Sequence, residues 1–168
     1  MIGAKKIILP SVFTALLIGG QFVLSGISGV EVVTVLLLTF TYKYGIKQGL
    51  LVANAFSLLR CFVFGFMPNV IILYLVYYNL FVIVFGLLGK AFKSEYGVKK
   101  HIIIILVALL MTALFTMFDN LLTPLFYGFT LNATKAYFVA SLYTVIPGLI
   151  CTLATTTFLF PIILKILK

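Results

Sequence analysis

Apolar residues fall in six long stretches along the chain, at 7–24, 30–42, 46–66, 69–89, 101–118 and 136–165, separated by short clusters of lysine, glycine and other polar residues. Runs of this kind predict membrane-spanning helices, each needing roughly 20 apolar residues to cross a hydrocarbon core of about 30 Å. The second stretch is the exception. Its charge-free part, residues 32–42, would rise only about 16 Å as a helix. The last is the opposite case, about 45 Å as one helix, long enough to tilt or protrude, with Pro147 and Pro161 as points where it can bend.

Lysine placement decides between six crossings and five, because cytoplasmic loops collect Lys and Arg. With six crossings and the amino terminus inside, Lys5, Lys6, Lys43, Lys47, Lys90, Lys93, Lys99, Lys100, Lys165 and Lys168 are cytoplasmic and Lys135 alone is external, ten against one. If segment two does not cross, the better arrangement leaves eight against three. The expectation is therefore an all-α integral membrane protein of six transmembrane helices, both termini cytoplasmic, with segment two short, tilted or joined to residues 25–30. Residues 119–135 form the longest expected loop, on the outside. Asn132-Ala-Thr134 within it is a formal glycosylation sequon of a kind common by chance. Lys5 and Lys6 before an apolar run also fit a signal peptide, but a signal peptide would deliver a mature domain outside, and the rest of this chain is itself membrane. Residues 1–168 are read as a single membrane-embedded domain.

Composition excludes a soluble alternative. Hydrophobic residues make up 64% of the 168 and charged ones 9%, whereas a soluble domain carries about 25% charged residues. The net charge of +9 does not point to nucleic acid, since the lysines sit between apolar runs and not on one polar face. Cys61 and Cys151 lie inside apolar stretches, which excludes a disulfide framework or CxxC motif and leaves small packing residues. His101 is the single histidine, so no His-pair metal site can form. No metal and no cofactor is expected.

Charged side chains at membrane depth are costly and mark functional sites or partner pairs. Glu31, Arg60 and Asp119 are such residues, and six crossings put all three toward the outer leaflet, Asp119 closing segment five. Tyr137, Ser141, Thr144, Gly148, Thr152 and Thr155 recur at steps of three or four, a polar and small stripe down one helix face. Thr112, Thr116 and Asn120 form another beside Asp119, while Asn54, Ser57 and Arg60 lie in segment three and Tyr74, Tyr78 and Asn79 in segment four. Such faces turn inward, because lipid cannot satisfy them. Two readings stay open. Arg60 pairs with Glu31 or Asp119 and the hydroxyls bond their own helices, or the set lines a pocket open to the outside that orients a small polar ligand. An ion pathway is disfavoured, as the inner halves of the helices hold almost no ionisable groups. Catalysis is weaker still, with no HExxH, GxSxG or second histidine. In the first segment, Ser11, Ala15 and Gly19 put small side chains on one face, either packing within the bundle or admitting another helix.

These features resemble the substrate-binding S components of energy-coupling factor (ECF) transporters, the prokaryotic vitamin-uptake branch of ABC transporters. The resemblance covers length, six spans and the short second segment. It also includes Ser11-x3-Ala15-x3-Gly19, similar to an Ala-x3-Ala docking motif with Ser and Gly replacing one of the paired alanines. Ser28-Gly-Val-Glu-Val-Val-Thr34 looks like the family's loop-to-helix-two region, and Pro147-Gly and Phe160-Pro161 like its closing helix. The resemblance implies a prokaryotic plasma-membrane subunit that binds a vitamin-class small molecule near the outer surface. That subunit docks through its first helix on a transmembrane coupling subunit with two cytoplasmic ATPases, and topples in the membrane to release its substrate. It maps Glu31, Asp119, Asn120, Tyr137, Ser141 and Thr144 onto the pocket with Tyr74 and Asn79, and Arg60 at its edge. Arg60 would then let the ligand carry a carboxylate, so that Arg60→Ala weakens binding sharply. A small accessory or structural membrane subunit of another complex is the alternative from a different class, and an intramembrane enzyme a third.

Overall fold

The computed structural model describes residues 2–27, 29–92 and 97–167, with side chains from Ile7 onward. Ser28 of the 28–34 stretch, Lys93, Lys168 and the side chains of Lys5 and Lys6, which enter the charge count, lie outside the described residues. Seven helices follow in order: α1 Ile2–Leu24, α2 Val33–Tyr44, α3 Ile46–Leu59, α4 Cys61–Phe64, α5 Pro68–Ala91, α6 Val98–Tyr127 and α7 Leu131–Ile166. No strand occurs among the described residues. Five stretches are long and apolar enough to cross a membrane, Ile7–Leu24, Ile46–Phe64, Pro68–Ala91, Val98–Tyr127 and Leu131–Ile166. Large apolar side chains lie open on their outer faces, Leu125 and Tyr143 each 80% exposed. Water would not tolerate such a surface. The fold is consistent with a multi-pass membrane protein.

The short second segment is a real helix of twelve residues, about 18 Å long, and it forms the centre of the bundle. It packs against α1, α3, α5 and α7, and Val33, Val35, Leu37, Leu38 and Phe40 are fully buried. A helix apolar on every side is stable only when neighbours surround it. Close approach at its carboxy-terminal end depends on glycine. A Cβ at Gly89 of α5 would stand 2.4 Å from the Tyr42 carbonyl oxygen, and one at Gly86 the same distance from Ile46 Cγ1. Dispersion packing of this kind holds helices together where lipid removes the hydrophobic drive. Farther out, Phe56, Tyr74, Tyr77, Tyr78, Phe81 and Phe115 join α3, α5 and α6 in an aromatic core.

Three expected boundaries are corrected. Residues 119–135 are not a loop: α6 runs on to Tyr127, α7 begins at Leu131, and three residues connect them. Gly128 closes α6 in the left-handed conformation, φ 63°, which glycine adopts without steric cost. Thr130 caps α7 by accepting a hydrogen bond from the Ala133 N–H. Asp119 therefore lies eight residues, about 12 Å of helix, inside the end of α6. The last span starts at Leu131, five residues earlier than its predicted start at 136, and its 36 residues extend about 54 Å. Segment three ends at Phe64 after an interruption at Arg60, with Gly65 at φ 89° turning the chain toward Pro68, which opens α5.

Candidate functional site

The pairing of α6 with α7 follows directly from their polar stripes. Thr112 and Thr152 share a hydrogen bond of 3.0 Å, Asn120 donates to Ser141 Oγ at 2.8 Å, and the Tyr137 hydroxyl donates to Asp119 Oδ2 at 2.6 Å. These contacts zip the helices together along the faces that the spacing predicts. The α7 stripe also meets the chain before α2. Gly29, at φ 78°, lies so close to Pro147 that a Cβ there would stand 2.6 Å from the proline Cβ. The Cys151 thiol donates to the Glu31 carbonyl at 3.3 Å and accepts from the Glu31 N–H at 3.4 Å. Cys151, expected only to fill space, thus fastens the start of α2 to α7.

That junction determines where space is left. Cys151 marks the amino-terminal end of α2 on α7, and Tyr137 is fourteen residues nearer the start of α7, about 21 Å along the helix. Over that length α2 has no counterpart, because it is too short. A cavity of about 360 Å³ lies between α6 and α7 there, lined by Phe115, Thr116, Asp119, Tyr137, Ala140, Ser141 and Thr144. Its volume falls within the range of small-molecule sites, roughly 300–1,000 Å³. Both helices contribute at the same spacing, residues 115, 116 and 119 from one and 137, 140, 141 and 144 from the other.

Four of the predicted binding residues, Asp119, Tyr137, Ser141 and Thr144, line this cavity. Asn120 stands directly behind it, buried and bonded to Ser141. Phe115, Thr116 and Ala140 complete the wall; Phe115 and Ala140 escaped the polar stripes because they are not polar, although they share the faces. Phe115 also separates the cavity from the tyrosine core, with ring centroids 5.7 Å from Tyr74 and 4.8 Å from Tyr77. Asp119 is fixed from below as well as above: Thr123 donates to its Oδ1 at 2.8 Å, and Asn69 at the start of α5 donates to Thr123 at 3.2 Å.

The remaining predicted residues occupy other places. Glu31 accepts a 2.5 Å hydrogen bond from Thr34, beside the α2 amino terminus, where the helix dipole favours an anion. Asn79 donates to Asn54 across the α3–α5 contact. Tyr74 and Tyr78 belong to the buried aromatic core. Arg60 is not a cavity residue. Its Nε donates to Gln21 of α1 at 3.1 Å, and its guanidinium lies 4.2 Å from the Tyr74 ring centroid and 4.9 Å from that of Phe64. Gln21 in turn donates to the Tyr74 hydroxyl at 3.0 Å. Among the described residues Arg60 forms no ion pair with Glu31 or Asp119, the pairing in one of the two readings left open by the sequence, and it does not line this cavity. Gln21, an uncharged amide inside an apolar helix, is the sequence signal for this contact. Arg60→Met should cost about 2 kcal/mol of stability through lost cation–π and hydrogen-bond contacts. Because the residue stands apart from the cavity, ligand affinity should change by no more than about twofold; thermal unfolding and titration of one preparation check both.

Ser11, Ala15 and Gly19 lie on the outward face of α1, while Phe13, Thr14 and Leu17 turn into the bundle. Packing within the chain's own bundle therefore does not account for the small-residue stripe. No family model matches the chain, and no curated protein or solved structure is recognisably similar to it.

Proposed function

We propose that the chain is the solute-capturing membrane subunit of an uptake system of the S-component type, taking a vitamin-class small molecule from outside a prokaryotic plasma membrane. The observation that carries the reading is the α6–α7 cavity, where a carboxylate, a phenol, three hydroxyls and one aromatic wall converge. These groups suit orientation of a small polar solute. We assign them no catalytic step. The lysine distribution supports six crossings with both ends inside, the cavity then facing outward. Glu31, Tyr74 and Asn79 act in this reading within the bundle and not in the cavity lining.

The outward stripe of α1 supports docking on a transmembrane coupling subunit served by two cytoplasmic ATPases. An accessory subunit of another complex would use the same stripe but would have no need of the cavity. Ala15→Leu is expected to weaken association with the energising subunits by about tenfold or more, through roughly 1.4 kcal/mol of lost close packing. Ligand affinity should be unchanged. Co-purification from native membranes and uptake into cells read the first effect, titration the second. Unaltered association and uptake would remove the stripe from the docking face.

A further inference from the structure

We infer that the α6–α7 cavity takes a ligand bearing a positively charged nitrogen, an ammonium or a protonated heterocycle, seated on the Asp119 carboxylate. The inference rests on the reading of this cavity as a solute site. It follows from where the protons of the lining groups point. The Tyr137 hydroxyl gives its proton to Asp119 Oδ2, Ser141 gives its own to the Phe138 carbonyl at 2.7 Å, and Thr144 to the Ser141 carbonyl at 2.8 Å. Ser141 already receives the Asn120 amide. What Tyr137 and Thr144 have left for a ligand is oxygen lone pairs. Thr116 alone among the lining hydroxyls has no proton committed by these contacts. Behind Ser141, the Oδ1 of Asn120 is a further acceptor, buried without a partner on a residue only 6% exposed. A site made mostly of acceptors selects a ligand made of donors.

Charge gives the same direction. Asp119 is the one lining residue with a formal charge, and its hydrogen-bond donors Tyr137 and Thr123 are neutral groups that orient a carboxylate without balancing it. Each of its oxygens has a second lone pair to offer. Arg60, the cation expected at the same depth, is committed to Gln21, Tyr74 and Phe64, and Lys135, nearer along the chain, is exposed and outside the cavity lining. An anion at membrane depth without a counter-charge favours a cation and repels a second anion. Phe115 adds a ring face on the same wall, a surface that cations also prefer.

The test reads the charge preference of the cavity directly. Ala140→Cys puts a thiol in the lining, and its rate of modification by a trimethylammonium methanethiosulfonate is compared with that by a sulfonate one, in the full chain in nanodiscs, with the unsubstituted protein giving the background from Cys61 and Cys151. The cationic reagent is expected to react about tenfold faster or more, and the difference should collapse when Asp119→Asn is added, a change that keeps an oxygen acceptor for Tyr137. Benzylamine should slow the labelling, whereas benzyl alcohol and benzoate should not. Equal rates, a preference that survives Asp119→Asn, or protection by benzoate would overturn the cationic class while leaving solute capture standing. An introduced thiol that neither reagent reaches would overturn both.

Discussion

Asp119→Ala should remove most of the ligand affinity, about 100-fold or more, and should also destabilise the protein by about 2–3 kcal/mol. Both effects come from one geometry. The carboxylate ends a chain of hydrogen bonds that starts at Asn69 on α5, passes through Thr123, and is closed from α7 by Tyr137. Removing it leaves two part-buried hydroxyl donors, Tyr137 and Thr123, without their acceptor. Asp119→Asn separates the two losses. Its amide oxygen can still accept from Tyr137 but its NH2 cannot accept from Thr123, so about half of the stability should return, whereas the charge that holds the ligand does not. Titration in detergent or nanodiscs together with thermal unfolding distinguishes the variants. A full recovery of affinity in Asp119→Asn would make the role of Asp119 purely structural.

The second large effect lies at the opposite end of the bundle. Gly89→Ala is expected to cost about 3 kcal/mol, because the added Cβ would meet Tyr42 backbone atoms at 2.4 Å and 3.0 Å. Backbone cannot rotate aside, so α2 and α5 must separate. Gly86→Ala should cost less: its closest conflict is with an Ile46 side-chain carbon, while the Ile46 backbone stands 3.2 Å away. Gly19→Ala serves as the control, with nothing within 4 Å of the new methyl, and alanine's higher helix propensity should leave it neutral or stabilised by up to about 1 kcal/mol. Unfolding temperatures of the three variants check the order. A Gly89→Ala protein as stable as Gly19→Ala would contradict the close crossing that holds α2 at the bundle centre.

Much of the candidate site is legible in the sequence because helical spacing reveals faces. Tyr137, Ser141 and Thr144 fall on one face of α7, Thr116 and Asp119 on one face of α6, and each face meets the other in the fold. Thr112 and Thr152 extend the match a further turn inward. What spacing does not reveal is which face meets which neighbour. Arg60, Glu31 and Asp119 look like one cluster along the chain, yet they enter three different contacts, with Gln21 and Tyr74, with Thr34, and with Tyr137 and Thr123. Of the three charges only Arg60 touches Tyr74, its guanidinium 4.2 Å from the ring centroid, and that ring belongs to the aromatic core and not to the cavity wall.

The boundary errors have an equally local origin. Asp119 reads as the end of a helix, but an aspartate satisfied by Tyr137 and Thr123 is tolerated inside one. Pro124 falls in the last turn of α6, where its carbonyl receives the Gly128 and Phe129 N–H groups. Gly128 and Thr130 carried the true stop and start signals. The short run at α2 was ambiguous for a different reason. A segment too short for a bilayer is stable here because α1, α3, α5 and α7 replace lipid around it, and that environment is a property of the assembled bundle.

Native mass spectrometry of the protein purified from its own membranes tests solute capture in this cavity most directly, performed alongside Ala140→Trp, which fills the space between α6 and α7. The unsubstituted protein should release a small molecule of vitamin size, and the filled variant, equally folded, should carry none. A protein that is free of ligand from the outset and shows no thermal shift across a vitamin panel would contradict the proposal. So would a ligand that Ala140→Trp retains undiminished.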